Sequence, residues 1–372
     1  MNILHIHEVY HPYKGGSAIR IQSLLDEQVE NNLLPNDNMY VLCTYKGVED
    51  VKSLPSKESI NGVNVIRIHN IKYIGLYALY LSFSLKIDHI HVHNSRIFWL
   101  IYPFMFFRKI ILEIHSLRNL NGYKNKLQDL SLRLSNKLIV LSETTRNYLI
   151  KNGLNETKII VVRNGVDYNL LNLRNIKVIG HVTTDGIKKL VYSGSFYEWQ
   201  GIITILELAR KIKTNNDKIQ ITLIGEGPLK NEVENFIKNN SLHEVLFLHD
   251  YLPANKLHKL LKQFDLFLFL RPKRRETELT FPLKILEVGA IGLPIIMTKR
   301  EAHLEIFNND DPNLYCTLVG DDIEEIYSKI LSELQNVSEL CEKSTRFKDL
   351  IFKNNYSWQK SALILHSVYE KK

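Results

Sequence analysis

The chain has 372 residues, which suits two domains, and its 45% hydrophobic residues are enough to fill their cores. Its three cysteines, Cys43, Cys316 and Cys341, are far apart, which argues against a disulfide framework or a zinc–cysteine site and favours a reducing compartment. The net charge of +8 comes without a zinc-finger or RNA-binding signature, so we expect no nucleic-acid partner and instead an anionic ligand or an anionic membrane surface.

Short apolar runs alternate with helical patterns through the first half of the chain. The predicted strands cover residues 2–7, 39–43, 63–68, 89–93, 110–115, 137–141 and 158–162, and clear helices cover 18–31 and 143–151. This alternation is typical of a parallel α/β sheet. The first strand begins at once and no signal-peptide pattern precedes it, so we expect a cytoplasmic protein.

Two apolar segments need a separate interpretation. Residues 97–107 are too short to cross a bilayer and contain Pro103, so we expect a buried helix. Residues 71–87 are rich in Tyr and Leu and carry Lys72 and Lys86 near their two ends. They are compatible with a core helix and with a helix at a membrane interface.

The strand–helix pattern restarts after residue 187. Strands are predicted at residues 189–192, 219–224, 245–248, 265–270 and 294–297, and residues 356–372 are predicted to be helical. The sequence therefore predicts an α/β protein with two doubly wound, Rossmann-like domains facing each other across a cleft. We assign residues 1–170 and 188–355 to these domains and residues 171–187 to a linker. In such sheets ligands bind beyond the carboxyl ends of the strands.

Three glycine-rich loops follow predicted strands, where backbone can approach a phosphate without a Cβ in the way. They are Gly15-Gly16, the segment Gly194 to Gly201, and Gly225-Glu226-Gly227-Pro228. A turn without a ligand is the competing interpretation of each. Because no Gly-x-Gly-x-x-Gly follows the first strand, a dinucleotide site is not favoured.

The segment Pro282 to Ile296 combines a helix start, a glycine–proline stop and a following strand. The free N–H groups of the first helical turn, together with Lys284, favour a phosphate. Glu287 lies one turn later on the same face. The competing interpretation is an ordinary surface helix.

Histidines cluster on the predicted strands of the first half. His89, His91 and His93 alternate on one strand, and His5 and His7 on another, but we find no cysteine or acid that would complete a metal site with them, so we expect no metal. His115 ends a strand, at the edge where ligands bind.

These motifs, in this order, resemble the retaining glycosyltransferases of family 4, which have the GT-B fold. Glu287 matches the second glutamate of that family's Glu-x7-Glu motif, which binds the nucleotide ribose, and an Ala-x-Gly-x-Pro turn follows at Ala290 to Pro294. Leu279 stands where the first glutamate is expected. The sequence Asn164-Gly165-Val166-Asp167 is a further mark of the family.

The resemblance implies roles for further residues. His115 matches a histidine that contacts the donor sugar near its reacting carbon, and with Lys284 it would be catalytic. The remaining expected donor-binding residues are Gly15, Gly16, Ser195, Gln200, Gly225, Glu226 and Leu283, with Glu287. Ser195 and Gln200 occupy the places of an arginine and a lysine that neutralise the donor diphosphate in the family. The nearby cluster of Arg271, Lys273, Arg274 and Arg275 is one source of replacement charge, and a solvated loop is the other interpretation of it.

The resemblance thus implies a glycosyltransferase of hexosyl or N-acetylhexosaminyl type. It would move a sugar from a nucleotide-sugar donor to a saccharide or lipid-linked saccharide acceptor, with retention, in surface polysaccharide or glycolipid synthesis. We expect no cofactor and no metal, an anionic membrane surface as a further partner, and a location in the cytoplasm or on the inner face of the cell membrane. The final helix, residues 356–372, is expected to cross back to the first domain.

Two other functions fit the same features. A sugar-nucleotide epimerase can share the two-domain architecture, because fold alone does not decide function. A non-catalytic glycosyltransferase-like subunit is compatible with Ser195, Gln200 and Leu279 at motif positions.

Overall fold

The computed structural model describes residues 1–13, 15–33, 38–47, 54–117, 122–167, 170 and 186–370. The chain divides into two compact units. The first comprises Met1–Gly165, Leu279–Phe281 and Ser357–Lys372, and the second comprises Val166–Glu278 and Pro282–Tyr356. The expected linker, residues 171–187, lies almost entirely outside the described residues.

The first unit is built on a sheet in which one edge strand, β3, is antiparallel to its neighbour and all other described pairs are parallel. Its strand order is β3-β4-β2-β1-β5-β6-β7-β8. The strands are Ile3–Ile6 (β1), Met39–Thr44 (β2), Lys57–Ile60 (β3), Val63–Ile68 (β4), His89–Val92 (β5), Ile110–Ile114 (β6), Lys137–Val140 (β7) and Ile159–Val161 (β8).

Helices cover this sheet, which is why its central strands are buried on both faces and rich in Ile, Leu and Val. Two of them begin at side-chain caps: Asn94 Oδ1 accepts from Ile97 N at 2.8 Å, and Ser142 Oγ accepts from Thr145 N at 2.9 Å. The helices are Gly16–Glu30 (α1), Ile74–Ser84 (α2), Ser95–Met105 (α3), Tyr123–Leu134 (α4) and Glu143–Lys151 (α5).

The second unit has a parallel sheet in the order β11-β10-β9-β12-β13-β14. Its strands are Lys188–Ser193 (β9), Ile219–Ile224 (β10), Leu246–His249 (β11), Leu266–Phe269 (β12), Ile295–Thr298 (β13) and Thr317–Val319 (β14). Its helices are Ile202–Thr214 (α6), Lys230–Asn239 (α7), Ala254–Leu261 (α8), Arg275–Leu279 (α9), Leu283–Ile291 (α10), Glu301–Leu304 (α11), Ile323–Gln335 (α12) and Val337–Lys353 (α13).

The helix Trp358–Glu370 (α14) packs against α1 of the first unit. Gln359 Nε2 donates to Asn31 Oδ1 at 2.8 Å, and the Tyr369 hydroxyl lies 2.7 Å from His91 Nδ1. Gly165 lies where a Cβ would come within 2.3 Å of the Ser357 backbone, so only glycine fits where the chain enters this helix.

In both units the order of the strands reverses near the centre of the sheet. On one side of this point the chain adds strands toward one edge of the sheet, and on the other side it adds them toward the opposite edge. In the first unit this point lies between β1 and β5, and in the second between β9 and β12. Two doubly wound, Rossmann-like α/β units were predicted from the sequence, and this part of the fold prediction is confirmed. Open α/β sheets bind ligands at such a point, beyond the carboxyl ends of the strands.

Each of the two apolar segments is buried on one side and exposes large apolar side chains elsewhere, so neither is a fully buried core helix. In α3 one face is buried, but Phe106 and Phe107, directly after it, are exposed. In α2 a buried face packs closely on α3, since a Cβ at Gly75 would lie 2.3 Å from the Leu100 carbonyl oxygen. The other face of α2 exposes large apolar side chains. Among the described residues, none of the helices has the length and hydropathy needed to cross a membrane.

Candidate functional site

A buried group of histidines and one glutamate lies at the carboxyl ends of three adjacent strands of the first unit. His5 and His7 come from the end of β1, His91 and His93 from the end of β5, and Glu113 and His115 from the end of β6. The sheet order places these strands side by side. We name the set His5, His7, His91, His93, Glu113, His115, Arg20 and Tyr369 the histidine cluster.

Hydrogen bonds connect the members of the histidine cluster. His115 Nε2 lies 2.6 Å from Glu113 Oε1, and His93 Nδ1 lies 3.3 Å from the same oxygen. His93 Nε2 lies 3.0 Å from His5 Nδ1. Glu113 therefore joins the half-exposed His115 to the fully buried rings behind it. The expectation that no acid lies beside these histidines was wrong: Glu113 is that acid, and it lies within the otherwise apolar run that forms β6.

Arg20 of α1 holds Glu113 in place. Its Nε donates to Glu113 Oε1 at 2.9 Å, its Nη2 donates to the Val162 carbonyl at 2.8 Å, and its Nη1 donates to Asn164 Oδ1 at 3.1 Å. Asn164 Nδ2 in turn donates to the Phe281 carbonyl at 3.0 Å. The Asn-Gly-Val-Asp motif thus supplies Asn164, which holds the arginine of a buried ion pair in place.

The electrostatics of the cluster follow from burial and from this ion pair. Burial acts to raise the pKa of the Glu113 carboxyl, but the Arg20 guanidinium and the neighbouring histidines hold that pKa well below its ordinary value. Burial lowers the pKa of His5 and of His93 well below the ordinary value, and that of His7 to about 4. At neutral pH the cluster therefore contains one carboxylate, one guanidinium and neutral buried imidazoles.

Two groups of cluster residues have donor atoms close enough to hold a metal ion, namely His5 with His91 and His93, and His93 with Glu113 and His115. The ring geometry does not suit the first group. The His91 and His93 rings stack with centroids 4.2 Å apart and planes 23° apart, so their nitrogen lone pairs run side by side and do not converge on one ion. In the second group, the carboxylate also pairs with Arg20, whose Nε is 2.9 Å from Glu113 Oε1.

In the second unit, two of the glycine-rich loops pack against each other beyond β9 and β10. Phe196 N donates to the Glu226 carbonyl at 2.8 Å, and a Cβ at Gly225, whose φ is +143°, would lie 2.0 Å from the Gly194 carbonyl oxygen. Close packing of these two loops therefore accounts for Gly225 without a ligand. Ser195 and Glu226 are exposed on their surface.

Gln200 lies in the first of these loops, where its side-chain oxygen accepts from Arg271 Nε at 3.0 Å. Arg271 is 5% exposed, and its guanidinium lies 5.0 Å from the Trp199 ring centre and 4.5 Å from that of Phe269. Its Nη1 has no hydrogen-bond partner within the described part of the chain. Burial lowers the pKa of Arg271 to about 10, so it stays charged at neutral pH. Arg274 differs, because it pairs with Glu198 at 2.8 Å.

Lys284 and Glu287 lie together on α10, as predicted. Lys284 Nζ is 2.8 Å from Glu287 Oε2, and the two side chains are 30% and 17% exposed. Pro282 is the residue before the helix, not its first turn, and Gly292, with φ +80°, ends it. Two residues that the sequence analysis missed lie near this pair. Tyr251 and His258, from the segment before α8 and from α8 itself, are within electrostatic range of both charges.

The remaining predicted residues are placed as follows. Gly15 precedes α1 and Gly16 is its first residue, and a Cβ at Gly16 would meet no atom within 4 Å. Leu283 is the first residue of α10 and is half-buried. Leu279, at the place of the family's first glutamate, is packed into the core of the first unit, where its carbonyl accepts from Thr145 Oγ1 at 2.6 Å.

The chain matches two protein-family models. Residues 177–349 match "Glycosyl transferases group 1", and residues 52–170 match "Glycosyltransferase Family 4". The chain is 29% identical over 178 residues to the O-antigen biosynthesis glycosyltransferase WclY of Escherichia coli, and the match covers 46% of each chain, so it spans about half the length of that relative. It is 24% identical over 385 residues to an uncharacterized glycosyltransferase of Methanocaldococcus jannaschii, covering 98% of this chain and 96% of that one.

The fold is also shared with solved structures. The crystal structure of HepE from Anabaena in complex with UDP-glucose has a TM-score of 0.73 at 14% sequence identity, and the match covers all of both chains. At that identity the likeness shows the fold alone. One glycosyltransferase family model thus matches each half of the sequence, and the chain has the GT-B fold of these solved structures.

Proposed function

We propose that this protein transfers a hexosyl or N-acetylhexosaminyl group from a nucleotide-sugar donor to a saccharide or lipid-linked saccharide acceptor, with retention of anomeric configuration. The observation that carries this is the Lys284–Glu287 pair on α10, because it combines a carboxylate for ribose hydroxyls with a cation for phosphate on one helix face. The similar protein WclY is an O-antigen biosynthesis glycosyltransferase, which supports surface polysaccharide or glycolipid synthesis as the setting.

The diphosphate of the donor needs positive charge, and the two expected cations are absent. We propose that the Gln200 side chain binds the diphosphate and that the buried Arg271, which is hydrogen-bonded to Gln200, supplies the positive charge. Because Arg271 can only donate, Gln200 must turn its oxygen toward Arg271, which leaves its amide N–H groups for a ligand. The buried guanidinium acts through a medium of low dielectric, where its field is screened less than in water. Arg274 adds less, since Glu198 neutralises it.

His115 is proposed to contact the donor sugar. Gly15 and Gly16, before and at the start of α1, are proposed to approach the donor through their backbone. His115 is the member of the histidine cluster whose ring reaches the surface, with a side chain 19% exposed. The resembling family has its histidine at this strand end, which supports the assignment.

Membrane attachment would bring the enzyme to a lipid-linked acceptor. We propose an anionic lipid surface as the partner of one face of the first unit. The face, which we name the aromatic face, consists of Tyr73, Leu76, Tyr77, Tyr80, Phe83, Phe106 and Phe107, all exposed. The α2 members follow a spacing of three and four residues, so they share one side of that helix.

The charges around the aromatic face favour an anionic surface. Lys72, Lys86 and Lys109 are exposed beside it, and the Arg108 guanidinium lies 5.6 Å from the Phe83 ring centre. Tyrosine and phenylalanine with flanking Lys and Arg suit the boundary between headgroups and acyl chains. An apolar patch of this kind is uncommon on a surface that meets only water. We accordingly propose a cytoplasmic location with peripheral attachment to the inner face of the cell membrane.

The proposed function is tested in two steps. Thermal-shift screening against a panel of nucleotide sugars, beginning with UDP-sugars, should raise the melting temperature for the true donor, because a ligand of the native state stabilises it. The donor that binds is then incubated with saccharide and lipid-linked acceptors, and proton NMR of the product reports the anomeric configuration. A protein that binds no nucleotide sugar, or that converts the donor to its epimer without an acceptor, is not the transferase proposed.

A further inference from the structure

We propose that Glu113 is a positioning residue for His115: together with Arg20 it fixes the ring so that Nδ1 is presented as an acceptor for a sugar hydroxyl. This inference rests on the proposed function only for the identity of the hydroxyl. The orientation and protonation of the ring follow from the first unit alone.

The protonation follows from counting donors. An ionised carboxylate can only accept, so His115 Nε2, 2.6 Å from Glu113 Oε1, must carry its proton. A neutral His115 then has an unprotonated Nδ1. Such a nitrogen accepts a hydrogen bond and cannot donate one, which selects O–H groups over carbonyl or phosphate oxygens as its partner.

Arg20 makes this arrangement rigid. Its guanidinium binds both oxygens of Glu113, at 2.9 and 3.4 Å, and is itself held by the backbone carbonyls of Val162 and Arg163. The carboxylate therefore has little freedom to rotate away from His115. Glu113 is 0% exposed and Arg20 1%, so water does not compete for these bonds.

A purely structural purpose explains the cluster less well. A buried ion pair contributes little net stability, and apolar residues of similar volume often do as well or better. Yet the Glu113 carboxylate lies two residues before His115, which directly follows β6, and it contacts the His115 ring at 2.6 Å. The His115 side chain is 19% exposed, whereas those of His91 and His93 are 1% exposed or less. The buried Glu113 carboxylate therefore contacts the ring that a ligand can reach.

The test is a double-mutant cycle with Glu113→Gln and His115→Ala. Glu113→Gln keeps the shape and should lower turnover by about 10- to 100-fold, with little change in donor binding, since a misplaced catalytic group costs about this much. In the His115→Ala background the same change should lower turnover no further. An equal loss in both backgrounds would show that Glu113 supports the fold generally, and would overturn the proposal.

A second readout does not depend on activity. Nitrogen-15 NMR of the histidine rings distinguishes the two neutral tautomers, and the His115 signals are assigned as those lost in His115→Ala. Wild-type protein should show Nε2 protonated, and Glu113→Gln should show a mixture. Protonation on Nδ1 in the wild type overturns the proposal even if no donor is ever found, whereas a failure to bind nucleotide sugars with Nε2 protonated would count against the proposed function only.

Glu156→Gln is the matched control, because it makes the same change on the surface of the first unit, where Glu156 is 62% exposed and pairs with Arg146. We expect unchanged turnover per folded molecule and an unchanged His115 tautomer. If Glu156→Gln shifts the tautomer as much as Glu113→Gln does, Glu113 is not the positioning group. Where Glu113→Gln does not fold, the wild-type spectrum still decides, because protonation on Nδ1 overturns the proposal without any variant at Glu113.

Discussion

Lys284 Nζ and Glu287 Oε2 are 2.8 Å apart on one face of helix α10, so the cation and the carboxylate proposed for the donor already neutralise each other. A donor that binds here has to share this pair, with ribose hydroxyls donating to Glu287 while phosphate approaches Lys284. The two side chains are consequently coupled, and their substitutions should not be additive.

Glu287→Gln should weaken binding of the donor. The amide keeps the shape but loses the charge that strengthens a hydrogen bond from ribose, so affinity should fall by about 1.5–3 kcal/mol. Calorimetry with the donor identified by thermal shift measures this. The control is Glu207→Gln, a similar change on helix α6. Equal donor affinity in Glu287→Gln and wild type would remove Glu287 from the site.

Lys284→Ala should lower turnover more than donor affinity. Negative charge on the leaving diphosphate grows in the transition state, and a nearby cation stabilises that charge most there. Steady-state kinetics separate the two effects, because loss of an interaction specific to the transition state lowers turnover. A change confined to the Michaelis constant contradicts this role for Lys284.

Gln200→Glu should weaken binding of diphosphates specifically. The new carboxylate would pair with Arg271, whose Nε is 3.0 Å away, and would place negative charge where the phosphates are proposed to bind. We expect at least about a tenfold loss of affinity for inorganic pyrophosphate, about 1.4 kcal/mol. Arg271→Met should give a similar loss, and Arg210→Gln, an exposed arginine on α6, should not. Should pyrophosphate bind all variants alike, the diphosphate is held elsewhere.

Binding to liposomes should require both anionic lipid and the aromatic face. Liposomes with anionic lipid should retain the protein at low salt and release it near about 0.5 M salt, where screening becomes short-ranged. Replacing Tyr80 and Phe83 by serine should abolish retention, while Ile203→Ser, an exposed apolar residue of the second unit, should not. Retention on neutral liposomes, or by the doubly substituted protein, speaks against the proposed surface.

Stability should decrease as the pH falls from about 6.5 toward 4. Burial lowers the pKa of His7 from 6.5 to about 4 and those of His5 and His93 well below 6.5, so in this range the unfolded chain binds protons that the folded chain does not. Protonation then favours unfolding, and the stabilisation is lost as the pH falls. Urea unfolding between pH 7.5 and 5 measures the slope. His7→Asn should reduce it by up to about one proton, and His243→Gln, on the surface, should not.

The fold and the second-unit motif could be predicted from the sequence because their signals are local. Buried parallel strands show as continuous runs such as Ile110 to Ile114, and Lys284 and Glu287 share a face because three residues nearly complete a helical turn. The alternation of His91 and His93 likewise follows from the strand period.

The histidine cluster could not be predicted in the same way, because it depends on which strands become neighbours. Nothing local to Glu113 indicates that Arg20, far earlier in the chain, neutralises it. The exposed face of α2 was ambiguous for a similar reason. That helix is apolar all round, and only the close approach of Gly75 to α3 decides which side is buried.

The contribution of helix α14 to the first unit has a consequence for how the chain matures. Tyr369 completes the surroundings of His91, and Lys137 Nζ donates to the Val368 carbonyl, so residues from the end of α14 are needed inside a unit whose sheet is complete by Val161. During synthesis the ribosome must therefore make the whole second unit before the first can close. A chain released early, or clipped within α14, would leave buried imidazoles without their hydroxyl and an apolar side of α1 uncovered, which are the features that chaperones and proteases recognise.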